Sequence, residues 1–351
     1  MKKNIKLFYV LLFMVFAFMG FGISANAADS NKTEIIAGKK FILKYHQAIQ
    51  GYSKGGNYMY IQQAYSKNKI KEFVAFKTTD DKNENLVLVT RCKFNKKKNG
   101  YVPNGYMLLS NVGHGQTIES YNHNGKNYLL ISCGSRATSM STLWWSNEIG
   151  RIEFKAGEYV KNSEIKRITN LNYNTYPTMR VDAALTPDKK ILAIWQMNGS
   201  GQSKYIGYDF NKINKIFDNM KVNEVDASNL DIRNAMVFST KNIGLNIPSF
   251  QGFAIHNSNN GKYTVYISSG DDRKYAICIY KYEINNGNII HNKTIRLNTQ
   301  DIWKAYISNN KKVEAEIESI KIIGNDLQFV LRNTGNAKQQ LLCKMSQNAF
   351  K

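Results

Sequence analysis

Five polar residues at nearly even spacing are the first places to look for chemistry. Gln50, Glu119, Asp182, Gln251 and Glu318 stand 69, 63, 69 and 67 residues apart. Each follows an apolar residue and precedes a small one, as in Ile49-Gln50-Gly51, Val181-Asp182-Ala183 and Ile317-Glu318-Ser319. If their segments converge, the five side chains make a polar ring. Such a ring can hold a ligand, or it can simply satisfy backbone groups and bond water. Glu314, Glu316 and Glu318 alternate, so a strand would put three carboxylates on one face. That face suits glycosidic acid–base work if a second carboxyl set lies about 5–10 Å away. It also suits a hard cation such as calcium, and it is equally the pattern of a solvated strand face. His114 lies between Gly113 and Gly115 just before the Glu119 segment, where it can touch a ligand or serve as an ordinary loop residue. Trp144 and Trp145 are adjacent. On a strand they face opposite ways, so one of them is available to stack on a sugar ring or enter a lipid interface, unless both pack between sheets.

Familiar catalytic signatures are absent. His46, His114, His123, His256 and His291 show no metal-ligand spacing, and H-E-x-x-H, G-x-S-x-G, the P-loop and the dinucleotide fingerprint are missing. No catalytic residue, metal or cofactor is therefore assigned. Cys92, Cys133, Cys278 and Cys343 sit inside apolar runs without C-x-x-C spacing, which favours buried thiols over disulfides.

The elements that must position these residues read as strands. Past the first thirty residues, short runs alternate apolar and polar residues between Asn, Gly, Asp, Ser and Lys. Helical spacing is nearly absent, with INKIFDNM at 213–220 the best candidate. Each of the five polar residues opens a strand–turn–strand unit, with turns such as Asn124-Gly125, Pro187-Asp188 and Gly324-Asn325. Further alternating strands follow in KEFVAFKTT, GRIEFKAG, KYIGYDF, AICIYKYEI and QLLCKM. Repeats of this size, each a small antiparallel sheet, predict an all-β five-bladed β-propeller of four-stranded antiparallel blades. A solenoid or two β-sandwiches is the alternative. The first strand of each blade would line the axis, and the small residue after each marker suits the crowding there. Residues near 34–45, EIIAGKKFILKY, are the expected closing strand.

The N-terminus has Lys2, Lys3 and Lys6, then no charge until Asp29, and ends in Ala25-Asn26-Ala27. This is the pattern of a secretory signal over residues 1–27 cut after Ala27, with an uncleaved anchor as its rival. Residues 28–351 are then expected to be one propeller domain. The chain of 351 residues carries +22, and loss of the leader's three lysines leaves about +19. A secreted protein so basic is drawn to anionic surfaces, which outside a cell are lipid headgroups, wall polymers carrying phosphate, or shed nucleic acid. The lysines are spread rather than clustered, which argues against a specific nucleic-acid site. Oligomeric state is not legible.

GYMLLSNVGHGQTIESYNHNGKNYLLIS, with its core from Gly113 to Glu119, resembles the helveticin J-like family. So do SNEIGRIEF, YPTMRVDAALTPDKKILAIW, IPSFQGFAI and VEAEIESIKIIGNDLQF. The resemblance spans roughly residues 45 to 345. It implies a large, heat-labile secreted bacteriocin that kills related Gram-positive bacteria, and it supplies no catalytic residues. The other readings are a non-lethal carbohydrate-binding adhesin and, third, a secreted hydrolase using the axial carboxylates.

Overall fold

The computed structural model describes residues 36–65, 85–138, 141–171, 178–241, 247–258, 260–306 and 313–351. The expected signal at 1–27 and the run KEFVAFKTT lie outside the described residues. What is described is mostly β, and it falls into five successive antiparallel groups. The first comprises Ile49–Gly55, Tyr58–Tyr65, Leu86–Asn95 and Gly100–Ser110. In the second, Ile118–His123, Lys126–Cys133, Glu148–Glu153 and Lys166–Thr169 pair in that order. Thr178–Leu185, Ile191–Asn198, Ser203–Asp209 and Met236–Ser239 form the third. Phe250–Asn257, Tyr263–Asp271, Tyr275–Asn285 and Asn288–Arg296 form the fourth. Ala315–Ile323, Asp326–Asn333 and Asn336–Ser346 make the fifth, and Ile36–Phe41 pairs antiparallel with its last strand in the register Ile36↔Lys344 and Ala37↔Cys343.

Two departures from uniform four-stranded units have structural causes. The second group gains a fifth strand, Glu224–Asp226, running parallel to Lys166–Thr169. It comes from the insertion between Ser203–Asp209 and Met236–Ser239 in the third group, so four strands per unit does not hold there. The groups are also not hydrogen-bonded in isolation. Ile36–Phe41 runs parallel to Gly100–Ser110 through Lys40↔Gly100, and Asp271 pairs with Glu316 across the fourth and fifth groups. With Tyr159–Lys161, which runs parallel to Gly100–Ser110, the first, fourth and fifth groups and Ile36–Phe41 thereby share one 13-stranded network.

Burial follows the alternation of the strands. Separate apolar cores fill the interfaces between the first and second, second and third, third and fourth, and fourth and fifth groups. A further core joins the fifth to the first, with Val330 and Leu342 against Ile49, Tyr52, Met59 and Ile61. There Gln340 accepts from the Ile49 N–H at 2.7 Å and donates to the Gln47 carbonyl at 2.9 Å. Each fully buried Leu, Ile or Phe in these seams contributes roughly 1.5–3 kcal/mol. The four cysteines are buried and form no disulfide, and burial pushes the Cys92 thiol up to about 12.

The helix expected at 213–220 is Phe210–Asn219, which starts earlier because the Asp209 side chain caps the Lys212 N–H at 3.1 Å. It buries Phe210, Ile213, Asn214 and Phe217 against the second and third groups. Two shorter helices, Leu230–Asn234 and Thr299–Tyr306, were not legible as periodic patterns. Among the described residues no helix is long and apolar enough to cross a membrane.

The five first strands neighbour one another in cyclic order, each beside the next and the fifth beside the first. Their convergence explains the small residue after each marker. A Cβ on Gly51 would lie 2.7 Å from the Gln116 carbonyl oxygen, a backbone atom of the neighbouring group. Gly51→Ala is expected to cost roughly 1–3 kcal/mol by overpacking, whereas Gly199→Ala, where the nearest atom is 3.8 Å away, is expected to be near neutral. Equilibrium urea unfolding of both variants checks this, and equal stabilities would contradict the crowding.

Candidate functional site

The five markers all lie on the converging first strands. Gln50, Glu119, Asp182 and Glu318 are buried, and Gln251 is half-buried. They do not form a single ring at one level. Gln50 reaches Glu318 at 3.5 Å, but Gln251 bonds Glu316 at 2.8 Å instead. Glu119 accepts from the Lys321 ammonium at 2.6 Å and the Leu185 N–H at 3.2 Å. Asp182 accepts from the Thr117 hydroxyl and from its neighbour Ala183 N–H. The markers therefore belong to a ladder of charges running along the axis.

Strand irregularities aim these side chains. Gln50 and Gln251 are each the extra residue of a β-bulge, and Ser319, at φ 53, is the extra residue beside Glu318. Of the three alternating glutamates, Glu314 precedes its strand and is exposed, while Glu316 and Glu318 are buried. The solvated-face reading fails for those two. Arg332 accounts for their burial: its Nε donates to Glu316 at 2.7 Å and lies 3.1 Å from Glu318.

Electrostatics follow from burial against these partners. Burial pushes the Glu119 carboxyl upward, but Lys321 and Lys189 outweigh it, so its pKa falls below the ordinary value. Asp182 is raised by burial, which Thr117, Lys321 and Arg180 offset only in part. Glu318 is raised well above the carboxylate range by burial and then by repulsion from Glu316. Arg180, also buried, is lowered to about 10 despite Asp182 and Glu318.

At the end where the first strands begin lies a cluster of aromatic and cationic side chains. Arg180 donates to Gln116 Oε1 and to the Phe250 carbonyl, both at 2.9 Å. Its guanidinium stacks 3.9 Å from the Trp145 ring. Trp145 is partly exposed and packs 5.0 Å from the His114 ring. The glycines flanking His114 are required by backbone geometry. Gly113 has φ 79 and a Cβ there would strike the Ser146 backbone, while Gly115 has φ 72 against Val87. Burial first, then Arg180 and Arg332, lowers His114 to about 4, so it is neutral at physiological pH. Trp144 lies in the strand Ser141–Trp145, but its side chain is outside the described ones.

Sequence reasoning did not single out Arg180, Lys321 or Arg332. Arg180 was recoverable, since it stands two positions before Asp182 on the same strand face. This arrangement can stack a planar or ring-shaped ligand on Trp145 and offer it neutral imidazole and amide groups. Each axial carboxylate is held by a cation or a hydrogen-bond donor. Among the described residues no group of three His, Cys, Asp or Glu is placed to hold a metal ion.

A sequence model of the family described as "Bacteriocin helveticin-J" matches residues 44–343. No curated protein matches the chain. Among solved structures, the tail fiber of Staphylococcus aureus phage P68 is similar with TM-score 0.55 and 16% identity, over 92% of this chain and 55% of that one. This chain thus spans about half the length of that fiber. An exo-β-1,3-galactanase from Phanerochaete chrysosporium gives TM-score 0.48 and 9% identity, over 88% of this chain and 64% of that one. A thermostable family-43 glycoside hydrolase gives 0.44 and 12%, over 87% and 91%. The fiber likeness is one of fold, and the two hydrolase likenesses are too loose to carry an argument about chemistry.

Two predictions come from the charges. Arg332→Met leaves Glu316 and Glu318 buried without their cation, so stability at pH 7 should fall by about 3–5 kcal/mol. Because protonation relieves the uncompensated carboxylates, that deficit should shrink toward pH 4, as pH-dependent urea unfolding would show. His114 binds its proton more weakly folded, at about 4, than unfolded, at 6.5. Its contribution is therefore complete above pH 6.5 and is lost as pH falls toward 4, a change of up to about 3 kcal/mol. His114→Gln should flatten the stability profile in that window, and an unchanged profile would contradict the assignment.

Proposed function

The chain belongs to the helveticin-J family of bacteriocins, and from that premise we propose that it is a secreted bacteriocin-like antimicrobial protein. It acts at the cell envelope of related Gram-positive bacteria by binding a wall or membrane component. The family match over residues 44–343 is the observation that carries this reading. In the same reading the five groups are the blades of a five-bladed β-propeller whose ring is completed by Ile36–Phe41. The five inter-sheet cores and the pairing of that strand with Asn336–Ser346 support it. The leader is removed after Ala27, and the remaining positive charge draws the protein to anionic polymers outside the cell.

A second reading, a non-lethal carbohydrate-binding adhesin, is favoured by Trp145 beside Arg180 and His114. The hydrolase reading has less support. Glu119 is engaged by Lys321, and Glu316 and Glu318 by Arg332, so these carboxylates hold the fold together.

Purified protein spotted on lawns of related Gram-positive strains should clear zones that disappear after heating. If it clears none yet still binds the cells, the adhesin reading replaces killing.

A further inference from the structure

At the opposite end of the axis, where the first strands finish, lies an open depression. We propose that it is a binding site for the phosphate group of an extracellular ester, and that it supplies the envelope contact of the function proposed above, on which the source of that phosphate rests. Its polar lining is Ser53, Lys54, Glu119, Lys189 and Lys321, set among the apolar walls of the third, fourth and fifth groups.

Charge counting gives the ligand its sign. Three ammonium groups face one carboxylate, so the site is left with two positive charges in excess. Glu119 spends its charge at the bottom, 2.6 Å from Lys321 and 3.5 Å from Lys189. Lys54 stands exposed at the rim. The nearest acid in sequence, Asp188, does not line the pocket. Its carboxylate turns back onto the Thr186 hydroxyl at 2.6 Å and the Lys190 N–H at 3.2 Å. Ser53 Oγ accepts from the Ser120 N–H at 2.8 Å, which leaves its own hydrogen to donate.

The arrangement is built rather than incidental. Glu119 is buried and anchors Lys321, whose side chain is 11% exposed, so that ammonium is fixed at the bottom of the pocket. Lys189 is presented by a backbone with φ 57, the left-handed turn position after Pro187-Asp188. Lysines act as point charges suited to phosphate, and the apolar walls strengthen the attraction beyond its value in water. A phosphate at Lys189 and Lys321, with a following phosphate near the rim at Lys54, matches a polymer of linked phosphodiesters. A lipid headgroup offers the same group singly at a surface, and the experiment separates the two sources.

Titration calorimetry of the full secreted protein against a soluble glycerol-phosphate oligomer, and sedimentation with phosphatidylglycerol vesicles, are the two arms. The test variant combines Lys54→Gln with Lys189→Asn, because asparagine tolerates the left-handed turn. Lys54→Gln alone, at an exposed position, is the safeguard should the pair perturb folding, and thermal unfolding verifies each. Binding in either arm that weakens at least tenfold in the double variant, and measurably in Lys54→Gln, supports the site. The arm in which that loss occurs identifies polymer or lipid as the source. Binding unaffected by the lysines, or none to either probe, overturns the proposal. Lawn clearing by wild type is scored separately, so loss of the phosphate site does not by itself remove the envelope function.

Discussion

Bringing five strands to one axis removes water from the charges those strands carry. Glu119, Asp182, Glu316 and Glu318 are all buried there. Uncompensated, each would cost several kcal/mol. Lys321 and Arg332 meet them from other strands, and Arg180 acts on Asp182 along its own strand and on Glu318 across to another. Lys189 reaches Glu119 as well, and where the partners do not fully offset burial, at Glu318 and Asp182, the carboxyl pKa is raised. One of these pairs joins different sheets, since Glu119 belongs to the second group and Lys321 to the fifth. Neutralisation is thus also what ties distant parts of the chain together. The apolar seams supply most of the burial, while the axial charges select which strands may sit side by side.

The same constraint divides the molecule into two ends with different chemistry. Where the first strands begin, Arg180 is used up by Gln116, the Phe250 carbonyl and the Trp145 ring. The result is an aromatic cluster whose cation is already engaged. Where they finish, Glu119 holds two lysines and cannot neutralise both. The result is a cationic depression.

Much of this was legible in sequence because it depends on local period and local turns. The marker spacing located all five first strands, and Asn124-Gly125 gave a turn with φ 50 and 77, as a tight hairpin demands. The strand near 34–45 paired with the end of the chain. The axial partners were harder to read. Lys321 is three residues after Glu318, which on a regular strand would point it the other way. The extra residue Ser319 shifts the phase, so both side chains face the axis. Arg332 lies on the next strand, and nothing local marks it as the cation for Glu316. His114 and Trp145 meet because the hairpin of Arg136–Thr138 and Ser141–Trp145 brings Trp145 back across the preceding loop. Such contacts depend on tertiary packing, which a one-dimensional pattern does not encode.

The claim that cross-sheet neutralisation holds the axis together is tested most directly by a double-mutant cycle on Glu119 and Lys321. Stabilities of wild type, Glu119→Gln, Lys321→Met and the double variant give their coupling energy. If the pair neutralises itself across the axis, the double variant should be more stable than the two single losses predict, by more than about 1 kcal/mol. Additivity within about 0.5 kcal/mol would contradict the account and leave the apolar seams as the sole determinant of how the first strands are arranged.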